Sequence, residues 1–149
     1  MTPSELLALI ASDQQATAYF SAGNDEACAA RCTAIAPPVR QPVPARVVRL
    51  RAMALGMYAV IKIASEDKSL PNPPRGLAVN FITLVDSTDT IDLDNPEIQS
   101  QAELLRQYSL ASAEQIASIQ SLANTPQIIT FHQVGAARQQ AGAVSNGVA

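Results

Sequence analysis

The chain has 149 residues, 48% hydrophobic and only 15% charged, enough apolar material for one packed domain and too much for a disordered chain. Its net charge of −3 and isoelectric point near 5.0 lack the basic footprint of a dedicated nucleic-acid binder. No apolar run nears the roughly 18–20 residues that span a bilayer, and Met1-Thr2-Pro3-Ser4-Glu5 lacks the basic opening of a secretory signal, which points to a cytosolic chain with no membrane partner.

Thr2-Pro3-Ser4-Glu5 reads as a helix start, with Thr2 as cap, Pro3 at the first helical position and Glu5 closing a capping box. Leu6, Leu7, Leu9 and Ile10 continue it towards Phe20, with a break expected near Ser12-Asp13 and a stop at Gly23. Asn24 caps a second helix whose Cys28, Cys32 and Ile35 share one face. Pro37-Pro38 ends it, and Val39–Val43 is expected to be extended.

Pro44 opens the longest apolar stretch, Ala45 to Ser65. Val47, Leu50, Ala54, Met57, Ile61 and Ala64 make one helical stripe, widened by Val48, Leu55, Tyr58 and Val60. Such a helix, apolar nearly all round, is expected to be central and buried. Ala52, Gly56 and Ala59 are read as places where another backbone comes close, since Gly in a helix interior costs about 1 kcal/mol against Ala.

Ser65 to Pro73 reads as a loop. Pro74 starts a helix with Leu77, Phe81, Leu84 and Val85 inward, and Thr90–Asp94 is a short extended piece. Pro96 starts a helix with Ile98, Ala102, Leu105 and Tyr108 inward. Ser112–Gln115 is a second capping box, introducing Ile116, Ile119, Leu122 and Ala123. These two helices are expected to form a helical hairpin. Gln127–Ile129 is extended, and Thr130–Gln133 caps a short last helix ending near Gln140. The fold class is therefore all-α: a compact multi-helix domain over 1–140 with a central buried helix, a C-terminal hairpin and short extended connectors. Ala141–Ala149 is a low-complexity arm that has nothing with which to fold alone.

Charge is segregated along the chain. From Arg40 to Arg75 seven basic residues meet only Glu66 and Asp67, a segment of +5, while the remainder is −8. A basic middle between acidic ends is a basis for one subunit to grip another. The candidate contact residues are Arg40, Arg46, Arg49 and Arg51 on one side and Asp89, Asp92 and Asp94 on the other. The same arginines suit phosphate or a small anionic ligand at a subunit boundary.

Catalytic constellations are thin. His132 is the single histidine, and Cys28 and Cys32 lie in no Cys-x-x-Cys pattern, so nucleophilic catalysis has no ready frame. Cys28 and Cys32 are half a zinc set at most, and their bland reading is as small apolar core residues. Asp86, Asp89, Asp92, Asp94 and Glu97 lack the Gly and terminal Glu of a calcium loop and suit the start of the Pro96 helix instead. No phosphate-cradling Gly loop, Gly-x-Ser-x-Gly elbow or His-Glu-x-x-His occurs. The reading is of a protein that is not an enzyme and needs no metal or cofactor.

The opening Met1-Thr2-Pro3-Ser4-Glu5-Leu6-Leu7, the Gly23-Asn24-Asp25 helix start, Leu104-Leu105, Ser109–Gln115, Ile119–Ala123 and Pro126–Val134 together resemble small helical proteins that tailed bacteriophages encode near their virion genes. The resemblance covers about half the chain, leaves out Val39–Arg51, and brings no functional residue with it. It implies a structural or assembly protein acting as an oligomer on the virion (tail, head–tail region or capsid), made in the host cytoplasm, with copies of itself or other virion proteins as partners. Val39–Val43 and Ala141–Ala149 would be its contact arms. The alternative is a soluble phage-encoded binder of a host factor or an anionic signalling molecule, of the anti-defence type.

Overall fold

The computed structural model describes residues 1–146, with nine α-helices and two small two-stranded sheets among them. The all-α class is as expected. Within these residues the contacts group into two compact units, each with its own cluster of buried side chains. Unit 2 is the continuous stretch Val39–Thr125, and unit 1 is built from the chain on either side of it, Met1–Pro38 and Pro126 onward.

Unit 1 contains α1 (Pro3–Ala11), α2 (Gln14–Ser21), α3 (Asp25–Ile35) and α9 (Phe131–Asn146). The expected break between the first two helices falls where Asp13 accepts a hydrogen bond from the Ala16 N–H at 2.8 Å. The Thr2/Glu5 capping box is complete. Gly23 (φ +73°) closes α2, letting the Asn24 N–H reach the Tyr19 carbonyl. Leu6, Ile10, Ala16, Cys28, Cys32, Ile129, Val134 and Ala137 form the core. Fully burying a side chain such as Leu6 contributes about 1.5–3 kcal/mol. Thr33 fastens the chain ahead of α9: its hydroxyl accepts from the Ile129 N–H at 2.9 Å and donates to the Ile129 carbonyl at 3.3 Å. The Thr130/Gln133 cap forms as expected. The helix it starts does not end near Gln140 but runs to Asn146, so the first part of the expected arm is helical. The remainder of that arm lies outside the described residues.

Unit 2 contains α4 (Ala45–Ala54), α5 (Met57–Glu66), α6 (Pro74–Ser87), α7 (Pro96–Gln107), α8 (Ala113–Gln120) and a 3-10 turn at Ser121–Ala123. Strands β1 (Val39–Arg40) and β4 (Asn124–Thr125) pair antiparallel, zipping together the two ends of the unit. Strands β2 (Val43–Pro44) and β3 (Thr90–Ile91) pair likewise and set the chain entering α4 beside the chain leaving α6.

The expected central helix over Ala45–Ser65 is corrected. The chain breaks at Gly56, which takes a left-handed conformation (φ +72°) between α4 and α5. Beyond Gly56 and its two chain neighbours, no atom lies within 4 Å of where a Gly56 Cβ would stand. Gly56 therefore serves the backbone turn, not a close approach. Gln115 reinforces the break by donating its side-chain amide to the Leu55 carbonyl at 2.9 Å, satisfying an acceptor that the interrupted helix exposes. The central element is α6, which packs against α4, α5 and α7 and buries Leu77, Ala78, Phe81 and Val85. The α7–α8 hairpin forms as expected, joined through Ser109 at φ 58° with the Leu110 N–H bonded back to the Leu105 carbonyl. It sits in unit 2, with α9 following it in the chain.

Breaking the helix reverses the α4 stripe. Ala45, Val48 and Ala52, spaced i, i+3, i+7, are the buried side. Val47, Leu50 and Met53 face solvent, Leu50 at 52% exposure. On α5 the expected inward residues Met57, Ile61 and Ala64 are buried, while Val60 and Ile63 point out.

Candidate functional site

Two arginines of the basic segment meet acids from outside it within unit 2. Arg40 on β1 forks onto Asp94 just ahead of α7, with Nε 2.9 Å from both carboxylate oxygens and Nη2 2.7 Å from one. Its Nη1 also donates to the Gln120 carbonyl at 3.0 Å and to the Asn124 side chain at 2.8 Å. One guanidinium thus ties together β1, the start of α7, the end of α8 and β4. Direct hydrogen bonding to Arg40 holds the Asp94 carboxyl below its ordinary range and raises the guanidinium's own pKa. Arg49 on α4 reaches Asp86 at the end of α6 at 3.3 Å, and the Tyr58 hydroxyl donates to the same carboxylate at 3.2 Å. Arg51 donates to the Ser118 hydroxyl on α8 at 3.0 Å.

Arg46, Asp89 and Asp92 are exposed and have no ion-pair partner among the described residues. The Asp89 carbonyl accepts the Ala45 N–H at 2.9 Å, so Asp89 lies beside the first turn of α4. Asp92 turns its carboxylate onto the Asp94 N–H at 3.0 Å, and Asn95 caps α7 through the Glu97 N–H at 2.8 Å. Of the acidic group, Glu97 sits in the first turn of α7 behind the Asn95 cap, whereas Asp86 and Asp94 are taken up by Arg49 and Arg40. Of the seven expected contact residues, the structure brings Arg40 and Asp94 together within one chain and leaves Arg46 on the open side of α4.

Cys28 and Cys32 are fully buried and unbridged in the unit 1 core. Burial pushes both thiols up, Cys32 to about 12, so both are protonated, inert core residues at neutral pH. His132 is exposed, its ring 4.0 Å from that of Phe131. Among the described residues no group of three or more His, Cys, Asp or Glu side chains could hold a metal ion. No helix of the described residues is long and apolar enough to cross a membrane.

A cavity of about 40 Å³ lies in unit 2, lined by Val48, Phe81, Ala102, Leu105, Ile116 and other apolar side chains, with Gln101 and Gln120 at its margin. It is a packing gap in the core, too small for a substrate of ordinary size.

The feature that sequence reasoning missed is the outward side of α4. Val47, Leu50 and Met53 are each at least 40% exposed, while the inward side is made of two alanines and a valine, Ala45, Val48 and Ala52. Larger apolar groups outside and smaller ones inside are opposite to what solvent selects. The signal available in the sequence was that small triplet at i, i+3, i+7, which marks the closely packed side. Arg46 and Arg51 flank the exposed stripe, and α4 carries no acid. The arrangement suits adhesion to an apolar surface with acidic edges. No family model, curated protein or solved structure matches this chain, so its functional reading rests on this geometry and on its own sequence.

Proposed function

We propose that this protein is a non-catalytic structural or assembly component of a tailed bacteriophage that works as an oligomer. The observation that carries the proposal is the α4 stripe of Val47, Leu50 and Met53, an apolar helix face left in solvent by the isolated chain. The likeness of both chain ends to small phage proteins encoded near virion genes supplies the setting. Apolar burial on α4 supplies affinity, and the flanking cations supply register. Mass spectrometry of purified virions is expected to find the chain in fixed stoichiometry with the tail, head–tail or capsid proteins. Its absence from virions and from assembly intermediates sinks the proposal. If, in addition, a small anion co-purifies with the free chain and is lost on Arg46→Ala, the binder of an anionic signalling molecule takes its place.

A further inference from the structure

Resting on the oligomeric reading above, the geometry points to a second copy of this chain as the occupant of the α4 stripe, and we infer that it binds head to tail: α4 of one copy seats on the outward face of α7 of the next. The two faces share a pattern. On α4, Val47, Leu50 and Ala54 stand at i, i+3, i+7, and Met53 widens the stripe. On α7, Glu97, Ser100 and Leu104 repeat that spacing on the outward side, with Tyr108 one turn further on. Leu104 and Tyr108 are 37% and 41% exposed, so α7 also carries apolar groups that solvent does not favour. A shallow depression lined by Pro96, Gln99, Ser100, Glu103 and Leu104 gives that face a concave seat.

Charge gives the pairing its sense. Once Arg49 has met Asp86 and Arg40 has met Asp94, Arg46 and Arg51 are left on α4 without carboxylate partners among the described residues. Asp92 and Glu97 are left at the start of α7 without cationic ones. Glu103 is held by Arg106 on the same helix. Two α4 faces brought together would oppose arginines only, whereas α4 against α7 opposes arginines to carboxylates.

The two faces cannot meet within one chain. Val48 on the inward side of α4 and Ala102 and Leu105 on the inward side of α7 line the same central cavity. The outward sides of the two helices therefore turn away from a common centre. A contact between unlike faces is heterologous, and each added copy presents a fresh α4 and a fresh α7. Such contacts close into rings or run on as filaments.

The test is sedimentation velocity of the full chain at rising concentration for the unaltered protein, Leu50→Asp, Leu104→Arg, an equimolar mixture of these two, and Ile63→Asp as a control on the outward side of α5. The unaltered chain and Ile63→Asp are expected to grow beyond dimer. Raising NaCl from about 0.05 to about 0.5 M is expected to weaken that growth several-fold. Leu50→Asp and Leu104→Arg are each expected to stay monomeric, with unchanged far-UV circular dichroism. Their mixture is expected to stop at dimer, because only one intact α4 and one intact α7 can meet. Leu104→Arg that assembles as the unaltered chain does, or a mixture that stays monomeric, overturns the head-to-tail pairing. Assembly that neither variant changes overturns this surface and leaves the oligomeric reading standing. An unaltered chain that is monomeric at every concentration overturns both.

Discussion

Replacing Gly56 by Ala distinguishes two architectures by the sign of one number. Gly56 stands at φ +72°, where an L side chain costs about 1–2 kcal/mol. No atom beyond its chain neighbours lies within 4 Å of the added Cβ, so no tertiary clash adds to that cost. Ala also narrows the unfolded ensemble, which returns about 0.4–1 kcal/mol. The expected net effect is a destabilisation of about 1 kcal/mol, a few degrees in Tm. In an unbroken Ala45–Ser65 helix the same substitution would stabilise by about 1 kcal/mol, because Ala is the better helix former. Gly56→Asn should fall between the parent and Gly56→Ala, since Asn tolerates the left-handed region. Urea unfolding followed by far-UV circular dichroism reads the effect as a lowered midpoint at constant slope. A midpoint that rises on Gly56→Ala refutes the left-handed break and restores the single central helix.

Val48→Ala, at a site 2% exposed, should cost about 1–3 kcal/mol, whereas Leu50→Ala should stay within about 0.5 kcal/mol; equal losses in urea unfolding would contradict the orientation given to α4. Hydrogen bonding to Arg31 and to the Ala16 N–H holds Asp13 at about 2, below its ordinary 3.8, so the folded state binds that proton less readily than the unfolded chain. The stability this contributes is complete above pH 3.8 and is lost as pH falls towards about 2; Asp13→Asn, which keeps a cap but loses the ion pair, should show a shallower acid loss, and identical acid profiles would count against the Asp13–Arg31 pair. The buried thiols run the opposite way, because raised values mean that the folded state keeps its protons longer: stability should decline as pH rises above 9 towards about 12, and Cys28→Ala/Cys32→Ala should remove that decline. At pH 8 a maleimide should label neither cysteine until the chain is unfolded, and rapid labelling of the native protein would show that one thiol is open to solvent.

Local signals carried most of the helix boundaries. Thr2/Glu5, Asn24, Ser112/Gln115 and Thr130/Gln133 act within four residues of themselves, so their hydrogen bonds form wherever the helix lies. The prolines at 3, 74 and 96 are equally local, since their fixed φ suits a first helical turn. The division into two units was not legible, because a contiguous pattern of helices does not state which of them share a core. Nor was the α4 face, since an apolar residue every three or four positions fits the inside of a bundle and an adhesive outside alike.

The amino-acid sequence alone determined that the chain is helical, where most of its helices start, and that its basic and acidic residues are grouped. These follow from interactions between near neighbours. Tertiary structure alone decided that Gly56 turns the backbone, that α6 is the central helix, that Arg40 and Arg49 meet acids of their own chain, and that Val47, Leu50 and Met53 face outward. Each of those depends on residues about 30 to 60 positions apart meeting across a core, as Arg40 meets Asp94 and Gln115 meets Leu55. The resulting burial and hydrogen bonding settle which of several locally equivalent faces is turned inward.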